Sequence, residues 1–302
     1  MDGVLSICKL PGQFGEKIVM RILDKSSINI GLEKLGFSHQ SLEHFEGIIT
    51  RPHGIILVTG PTGSGKSTTL YSALTKINTK EKNILTVEDP VEYEVAGLTQ
   101  CQVLEKAGMS FASILREMLR QDPDVIMVGE IRDAETANIA TQAALTGHLV
   151  LSTLHTNDAP SAVTRLIEMG IEPFLVASSV VGVLAQRLVR RVCQRCREAY
   201  VPPPEALQLV GLVPEQAEGV TFYKGRGCDH CNDGYRGRVG IYELMLVDND
   251  VRELILRGAA SYEIMEYCVR EKGMVTLRQD AAAKVLQGMT TIQEAYRVTQ
   301  AD

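Results

Sequence analysis

Residues 60–67 read Gly-Pro-Thr-Gly-Ser-Gly-Lys-Ser, directly after a short apolar run from Ile55 to Thr59. The octet satisfies G-x-x-x-x-G-K-[ST] in full, and a helical pattern, Ser67 to Ile77, follows it. Gly60, Gly63 and Gly65 let the backbone turn its N–H groups inward around phosphate oxygens. Lys66 brings a positive charge to the β- and γ-phosphates, and the Ser67 hydroxyl can ligate Mg²⁺. The helix points the positive end of its dipole at the same anion. Pro61, Thr62, Ser64 and Thr68 complete the segment that wraps the phosphates. The alternative, an accidental glycine-rich turn, would require neither the strand before nor the helix after.

Outward from this loop the pattern is α/β. Asn83 to Val87 predicts a second strand and Ser110 to Arg120 a helix; Asp124 to Val128 predicts a third strand. Ala134 to Leu145 is an alanine-rich helix, and His148 to Leu154 a fourth strand. Alternating strands and helices imply a mostly parallel sheet covered on both faces, with ligand at the carboxyl ends of its strands. Upstream, Leu32 to Arg51 has helical spacing. Val4 to Leu10, a Pro11-Gly12 turn and Lys17 to Leu23 make a hairpin with little core of its own, read as the tail of a domain lying upstream. Downstream, a helical stretch runs to about Arg190; residues 193–238 are rich in cysteine, glycine and proline, and the last sixty return to short amphipathic helices. One of these begins with a capping box at Thr291 and Glu294.

The bulk numbers are those of a soluble globular protein: 302 residues, 45% hydrophobic, 23% charged. A net charge of −6 counts against a general nucleic-acid binder. No apolar run approaches the roughly 18–20 residues needed to span a bilayer. The longest, Phe174 to Ala185, is broken by serines and a glycine and reads as a buried helix. No charged-then-apolar leader opens the chain, so the expectation is a protein that is not exported.

Acids stand where the sheet would present them to the loop. Glu130 follows the third strand and is placed to polarise an attacking water or to assist Mg²⁺; a solvated acid at a strand end is the alternative. Glu88 and Asp89 follow the second strand and suit metal coordination or water activation, or simply a turn begun by Asp89-Pro90. His148 and His155 bracket the fourth strand, where a histidine can bond a γ-phosphate or be structural. Arg21, Arg116, Arg120, Arg132 and Arg165 fit phosphate contact or coupling between subunits, with surface ion pairs as the alternative.

Four of the seven cysteines form two pairs, Cys193-x-x-Cys196 and Cys228-x-x-Cys231. In a chain without an export signal such pairs favour a metal over disulfides. Four thiolates make a closed tetrahedral zinc site with no open position for catalysis; four reduced thiols or a redox pair are the alternatives. His230, inside the second pair, is not needed as a ligand. The basic run Gln186 to Arg197 reads as a solvated helix end, with contact to acidic lipid or a partner as the alternative.

The stretches GIILVTGPTGSGKSTTLYSAL, NILTVEDPVEY, LRQDPDVIMVGEIRDAETANIATQAALTGHLVLSTLHTN and GYRGRVGIYEL together resemble the type II secretion and type IV pilus assembly ATPases over nearly the whole chain. They look like that family's Walker A, aspartate, Walker B and histidine boxes, with the tail of its tetracysteine region. The resemblance implies a RecA-like P-loop NTPase core with a parallel sheet over residues 31–190. It places a zinc-binding module at 191–240, a helical region at 241–302 and a remnant of a preceding domain at 1–30. By the same carry-over Lys66 and Ser67 are nucleotide ligands, Glu130 the catalytic carboxylate and Glu88 a second candidate for orienting water or metal. The five arginines move toward the active site or the subunit interface, and both histidines toward function. The implied ligands are ATP, Mg²⁺ and Zn²⁺. The implied assembly is a homo-hexamer, cytoplasmic and peripheral at the inner membrane, working on a membrane platform protein and held by a docking protein, with no nucleic acid. The tetracysteine region, which retraction motors lack, favours assembly over retraction. The chain departs from the family at its start, where Leu5-Ser6-Ile7-Cys8 stands in place of an arginine-bearing strand. Two rival readings are a nucleic-acid translocase, opposed by the acidic balance and the missing aromatic–basic stripe, and a non-catalytic nucleotide-binding module.

Overall fold

The computed structural model describes residues 3–24 and 30–300. Its centre is a seven-stranded sheet in the order β11-β8-β3-β7-β6-β4-β5. The strands are β3 (Gly54–Thr59), β4 (Ile84–Glu88), β5 (Thr99–Gln102), β6 (Val125–Val128), β7 (Leu149–Leu154), β8 (Val180–Val192) and β11 (Tyr235–Leu246). Neighbours run parallel except for the antiparallel pair of β8 with β11. The expected α/β core with a mostly parallel sheet is borne out.

Because such a sheet is covered on both faces, its strands are apolar throughout, and the faces separate at the sheet's period of two. Ile56 and Val58 of β3 pack with α1 (His39–Ile49) and α2 (Lys66–Ile77) through Phe45, Ile48, Leu70 and Leu74. Ile55 and Leu57 pack on the opposite face, whose core also takes in α3 (Phe111–Met118), α4 (Ala134–Leu145), α5 (Ala159–Glu168) and α6 (Pro173–Ser179). Ser38, Ser110, Asp133 and Asp158 cap α1, α3, α4 and α5, each accepting from the backbone N–H three residues on. The caps on α4 and α5 hold those helices at the carboxyl edge of the sheet, which the loop after β3 also occupies.

Several expectations are corrected. The stretch read as helical to about Arg190 is helical in α5 and α6 and then gives way to the thirteen-residue β8. A mostly apolar run has no period that separates a buried strand from a buried helix, and the valines of 180–192 are the better guide. The basic run from Gln186 is therefore a strand end, with Arg187 buried and giving Nη1 to the Val298 carbonyl at 2.7 Å. Edge strand β5 has no apolar signal to read, since its sequence is Thr-Gln-Cys-Gln. In the hairpin of β1 (Gly3–Gly12) and β2 (Gly15–Asp24), Gly12 pairs with Gly15, so Gln13 and Phe14 make the turn and not Pro11-Gly12.

Strands β9 (Arg197–Tyr200) and β10 (Phe222–Gly225) form a small antiparallel pair, with α7 (Pro204–Leu209) and α8 (Pro214–Ala217) between them. Strand β11 then returns to the main sheet and runs through residue 240, where the sequence had suggested a boundary. Helices α9 (Asn249–Leu256), α10 (Ser261–Lys272), α11 (Leu277–Leu286) and α12 (Ile292–Thr299) complete the helical carboxyl-terminal region.

Buried charges tie that region to the sheet. Glu243 of β11 accepts from the N–H of Ala159 at 2.8 Å and of Leu277 at 3.3 Å, at the starts of α5 and α11. Asp280 accepts from the Tyr242 N–H at 2.7 Å and pairs with Lys284 at 2.5 Å. Thr291 caps α12, but the Glu294 carboxylate does not close the expected box: it turns to Arg190 at 2.8 Å and Arg297 at 2.7 Å. Burial works against the charge on Glu294, yet the bonds from Arg297 and Arg190 hold its carboxyl down at about 2. Among the described residues no helix is long and apolar enough to cross a membrane.

Candidate active site and metal centre

The phosphate-binding loop leaves β3 at Thr59, whose hydroxyl donates to the Leu154 and Thr156 carbonyls and accepts from the Thr156 N–H at 2.8 Å. This fastens the ends of β3 and β7 at one level. The loop then turns through Gly60 at φ +143°, Gly63 at +80° and Gly65 at +91°, where glycine alone is unstrained. The three differ in surroundings. A Cβ at Gly63 would meet nothing within 4 Å, one at Gly60 would stand 2.3 Å from the Gln186 carbonyl oxygen, and one at Gly65 would stand 2.8 Å from the Gln186 side-chain nitrogen. Gly63 is thus required by conformation, and the other two by close approach to β8 as well.

Pro61, Thr62, Gly63 and Ser67 are exposed, while Ser64 is buried with its hydroxyl unpaired. Lys66 folds back to donate to the Gly60 carbonyl at 2.8 Å and to Pro61 at 3.2 Å. Burial lowers its pKa, opposed by the charge of Glu130. A ring of left-handed glycines, a helix start at Lys66, an orphaned buried hydroxyl and a partly desolvated ammonium together fit an oxyanion such as phosphate. Ser67 and Thr68 stand in the first turn of α2.

Glu130 lies just past β6 and is mostly buried. One carboxylate oxygen meets Arg132 at 2.5 Å and the other faces His155 Nε2 at 3.5 Å. The hydrogen bond to Glu130 raises the Arg132 pKa further. Thr153 steadies this corner, donating to the Gly129 carbonyl at 2.7 Å and accepting the Ile131 N–H at its own carbonyl. The structure therefore brings Lys66, Glu130, Arg132 and His155 together at the carboxyl edge.

Glu88 ends β4 and is buried at 5% exposure. It accepts from Tyr71 of α2, from Thr86 at 2.5 Å and from Gln100 of β5 at 3.1 Å. Burial and this bond to Glu88 push the Tyr71 hydroxyl well above its ordinary range. Glu88 thereby joins the loop's helix to the sheet edge.

His148 stands apart from these residues. It precedes β7, whose Leu149 is level with Gly54 and whose Leu154 is level with Thr59. Six residues at about 3.3 Å each put it roughly 20 Å from the carboxyl edge, so within this chain it does not reach the loop. Its Nδ1 lies 2.8 Å from the Ala143 carbonyl. Arg116 pairs with Glu135 at 2.5 Å, Arg120 with Glu117 at 3.9 Å and Arg165 with Glu168 at 3.2 Å, all at the surface. The side chain of Arg21 lies outside the described residues. Gln186, Tyr71 and Gln100 were missed. The signal for Gln186 was a lone amide closing an apolar run, which its arginine neighbours disguised.

The four cysteines converge. Cys193 and Cys196 follow β8, Cys228 and Cys231 lie between β10 and β11, and their sulfurs all fall within 4.8 Å of one another. The separations are 4.0 Å for Cys193–Cys228, 3.7 Å for Cys196–Cys231 and 3.6 Å for Cys228–Cys231. A tetrahedron with metal–sulfur bonds of about 2.3 Å has edges of about 3.8 Å, so the set fits one thiolate-bound ion. His230 is not among the converging ligand atoms. Backbone donation at Arg195 holds the Cys193 thiol down at about 7, whereas burial pushes Cys196 up to about 11. Glycine is required beside the cluster: a Cβ on Gly225 would stand 2.1 Å from the Gly234 carbonyl, the group that accepts the Cys193 N–H.

A family profile described as "Type II/IV secretion system protein" matches residues 4–297. Among curated proteins the chain is 55% identical over 295 residues to the type II secretion system protein E of Dickeya dadantii, covering 97% of this chain and 58% of that one. It is 54% identical over 300 residues to the type IV pilus assembly ATPase PilB of Thermus thermophilus, covering 99% of this chain and 34% of that one. The chain thus spans less than two thirds of the length of either relative. Among solved structures it resembles the ATPase DotB of Legionella pneumophila (TM-score 0.70, 25% identity, 99% of this chain and 72% of that one). It also resembles the pilus retraction motor PilT with bound ADP (TM-score 0.67, 28% identity, 97% and 77%). On the profile match, the identities and the shared fold, the chain belongs to the type II/IV secretion system protein family.

Proposed function

We propose that this chain is the ATP-hydrolysing part of a type II secretion motor, which drives assembly of a pseudopilus for protein export across the outer membrane. One observation carries the reading: a complete phosphate-binding loop whose Lys66 feels the charge of Glu130 at the end of β6, one strand removed from β3. ATP would seat its β- and γ-phosphates against the loop's N–H groups and Lys66, with Ser67 on Mg²⁺. The cation supplies charge neutralisation across the phosphates. Glu130 orients and polarises the attacking water, and Arg132 and His155 fix the angle of its carboxylate. Glu88 supports this edge through Tyr71. The cysteine cluster holds zinc in a structural role, since four thiolates leave no open position.

The same reading makes the protein a homo-hexamer, in which surface arginines such as Arg116, Arg120 and Arg165 could face a neighbour's nucleotide. It would be cytoplasmic and peripheral at the inner membrane, with a platform protein and a docking protein as partners and no nucleic acid. Type IV pilus extension is the second reading, supported by the near-equal identity to the Thermus PilB. ADP titration of wild type and Lys66→Ala tests the nucleotide assignment. Binding lost in the variant supports it, and equal binding in both would remove the loop from the account. Growth of a pseudopilus or of a surface pilus, scored in a host deleted for each motor in turn, separates the two readings.

A further inference from the structure

Gln186 is 2% exposed, on β8 beside β3 and level with the phosphate-binding loop, since Thr59 pairs with Ala185. Its carbonyl backs Gly60 and its side-chain nitrogen backs Gly65. Its Oε1 accepts from the hydroxyl of Thr69 at 2.7 Å. Thr69 is fully buried in α2, and its own N–H bonds the Gly65 carbonyl at 3.1 Å. One residue therefore stands behind both ends of the glycine stretch, by its carbonyl at Gly60 and its side-chain amide at Gly65, and holds the helix that the loop feeds, while the loop's outer side, Pro61 to Gly63, is exposed.

We propose that Gln186 and Thr69 are a positioning pair that forms the rear wall of the phosphate-binding loop and sets its affinity for nucleotide. The inference rests on the nucleotide reading of that loop. Glycines give the loop the conformations it needs, and also the freedom to leave them; ligand binding must then bear the entropy of ordering it. A wall at Gly60 and Gly65 confines the loop before ligand arrives. A polar wall is required because Thr69 is buried, and an apolar residue of the same size would take away the acceptor its hydroxyl uses. The pair touches neither the water side of Glu130 nor the outer face of the loop, so it acts on binding more than on the chemical step.

The test is calorimetric titration of Mg·ADP into the full chain and its variants, with metal content and melting temperature recorded for each. Gln186→Ala and Thr69→Val are each expected to weaken ADP by about tenfold, the equivalent of one net hydrogen bond. Thr69→Ser, which keeps the hydroxyl, is expected to stay within about threefold of wild type, so the Thr69 pair carries the test even if Gln186→Ala folds poorly. Gln186→Glu keeps an acceptor for Thr69 but sets a negative charge behind the phosphates. It is expected to lose more affinity than Gln186→Ala, and most at low salt. In steady-state hydrolysis the KM for ATP should rise while kcat changes by about twofold or less. Gln186→Ala and Thr69→Val that melt earlier yet bind ADP as wild type does would overturn this inference alone. A folded wild type that binds no ADP would overturn the nucleotide reading and this inference together.

Discussion

The middle of strand β8 and its carboxyl end serve opposite kinds of site. At Gln186 the strand backs a loop with exposed residues, a buried unpaired hydroxyl at Ser64 and a lysine bonded to carbonyls of its own turn. Seven residues on, at Cys193, the same strand enters a cluster whose four sulfurs already stand at the spacing one ion requires. A site that takes and releases a ligand keeps hydrogen-bonding capacity unused and shapes itself with glycine. A site that holds its ligand for good converges its donors and leaves no open position. On the proposed reading, turnover belongs to the loop and scaffolding to the cysteine cluster.

The largest effect expected from breaking that contrast is at the closed end. Cys193→Ser with Cys228→Ser should remove the metal, about one zinc per chain by elemental analysis. It should also destabilise the β9–β10 region by several kcal/mol, because metal affinity at such a site is folding free energy. A metal-free wild type with an unchanged melting temperature would refute the scaffold role. Next is Gly60→Ala, where the added methyl would stand 2.3 Å from a backbone carbonyl. Nucleotide binding should fall by at least about tenfold with zinc content unchanged, since the clash and a φ of +143° both distort the loop. A variant that binds normally would show that the loop tolerates movement against β8.

A smaller effect is expected at Glu294, which anchors α12 to β8. Glu294→Gln should cost roughly 2 kcal/mol, the scale of hydrogen bonds to charged partners. The sign with pH follows from a carboxyl held at about 2 in the folded chain and near its usual value, about 4.3, when unfolded. Its stabilisation is complete above the unfolded value and fades as pH falls from about 4.3 toward 2. Wild type and variant should therefore converge in melting temperature across that window; a gap that persists at low pH would contradict the assignment. The smallest effect is at Arg116, a surface partner of Glu135. Arg116→Ala should change monomer stability by about 0.5 kcal/mol or less. A fall in hydrolysis with protein concentration held high would mark it as acting on a neighbour.

The sequence carried much of the central sheet and little of what surrounds the loop. Strands β3, β4, β6 and β7 were legible within a residue or two because each is a short apolar run ended by a turn signal. β8 was not, since burial on both faces erases the period that separates strand from helix. β5 was not either, because an edge strand of Thr-Gln-Cys-Gln depends for its place on pairing with β4. Of the candidate site, the loop and Glu130 could be read from local spacing. His148 could be placed too, because a residue that opens a strand of a parallel sheet stands at the amino edge, away from the ligand. Gln186 and Tyr71 act across 117 and 17 residues of chain, on Thr69 and Glu88, and no local pattern records such pairs.

The account stands most directly on steady-state phosphate release from the purified chain with Mg·ATP, compared between wild type and Glu130→Gln. It predicts measurable release by wild type and a loss of about a hundredfold or more in the variant, with ADP affinity within a few-fold of wild type, because Glu130 serves the water and not the phosphates. Equal release by both would contradict the placing of the catalytic carboxylate at the end of β6.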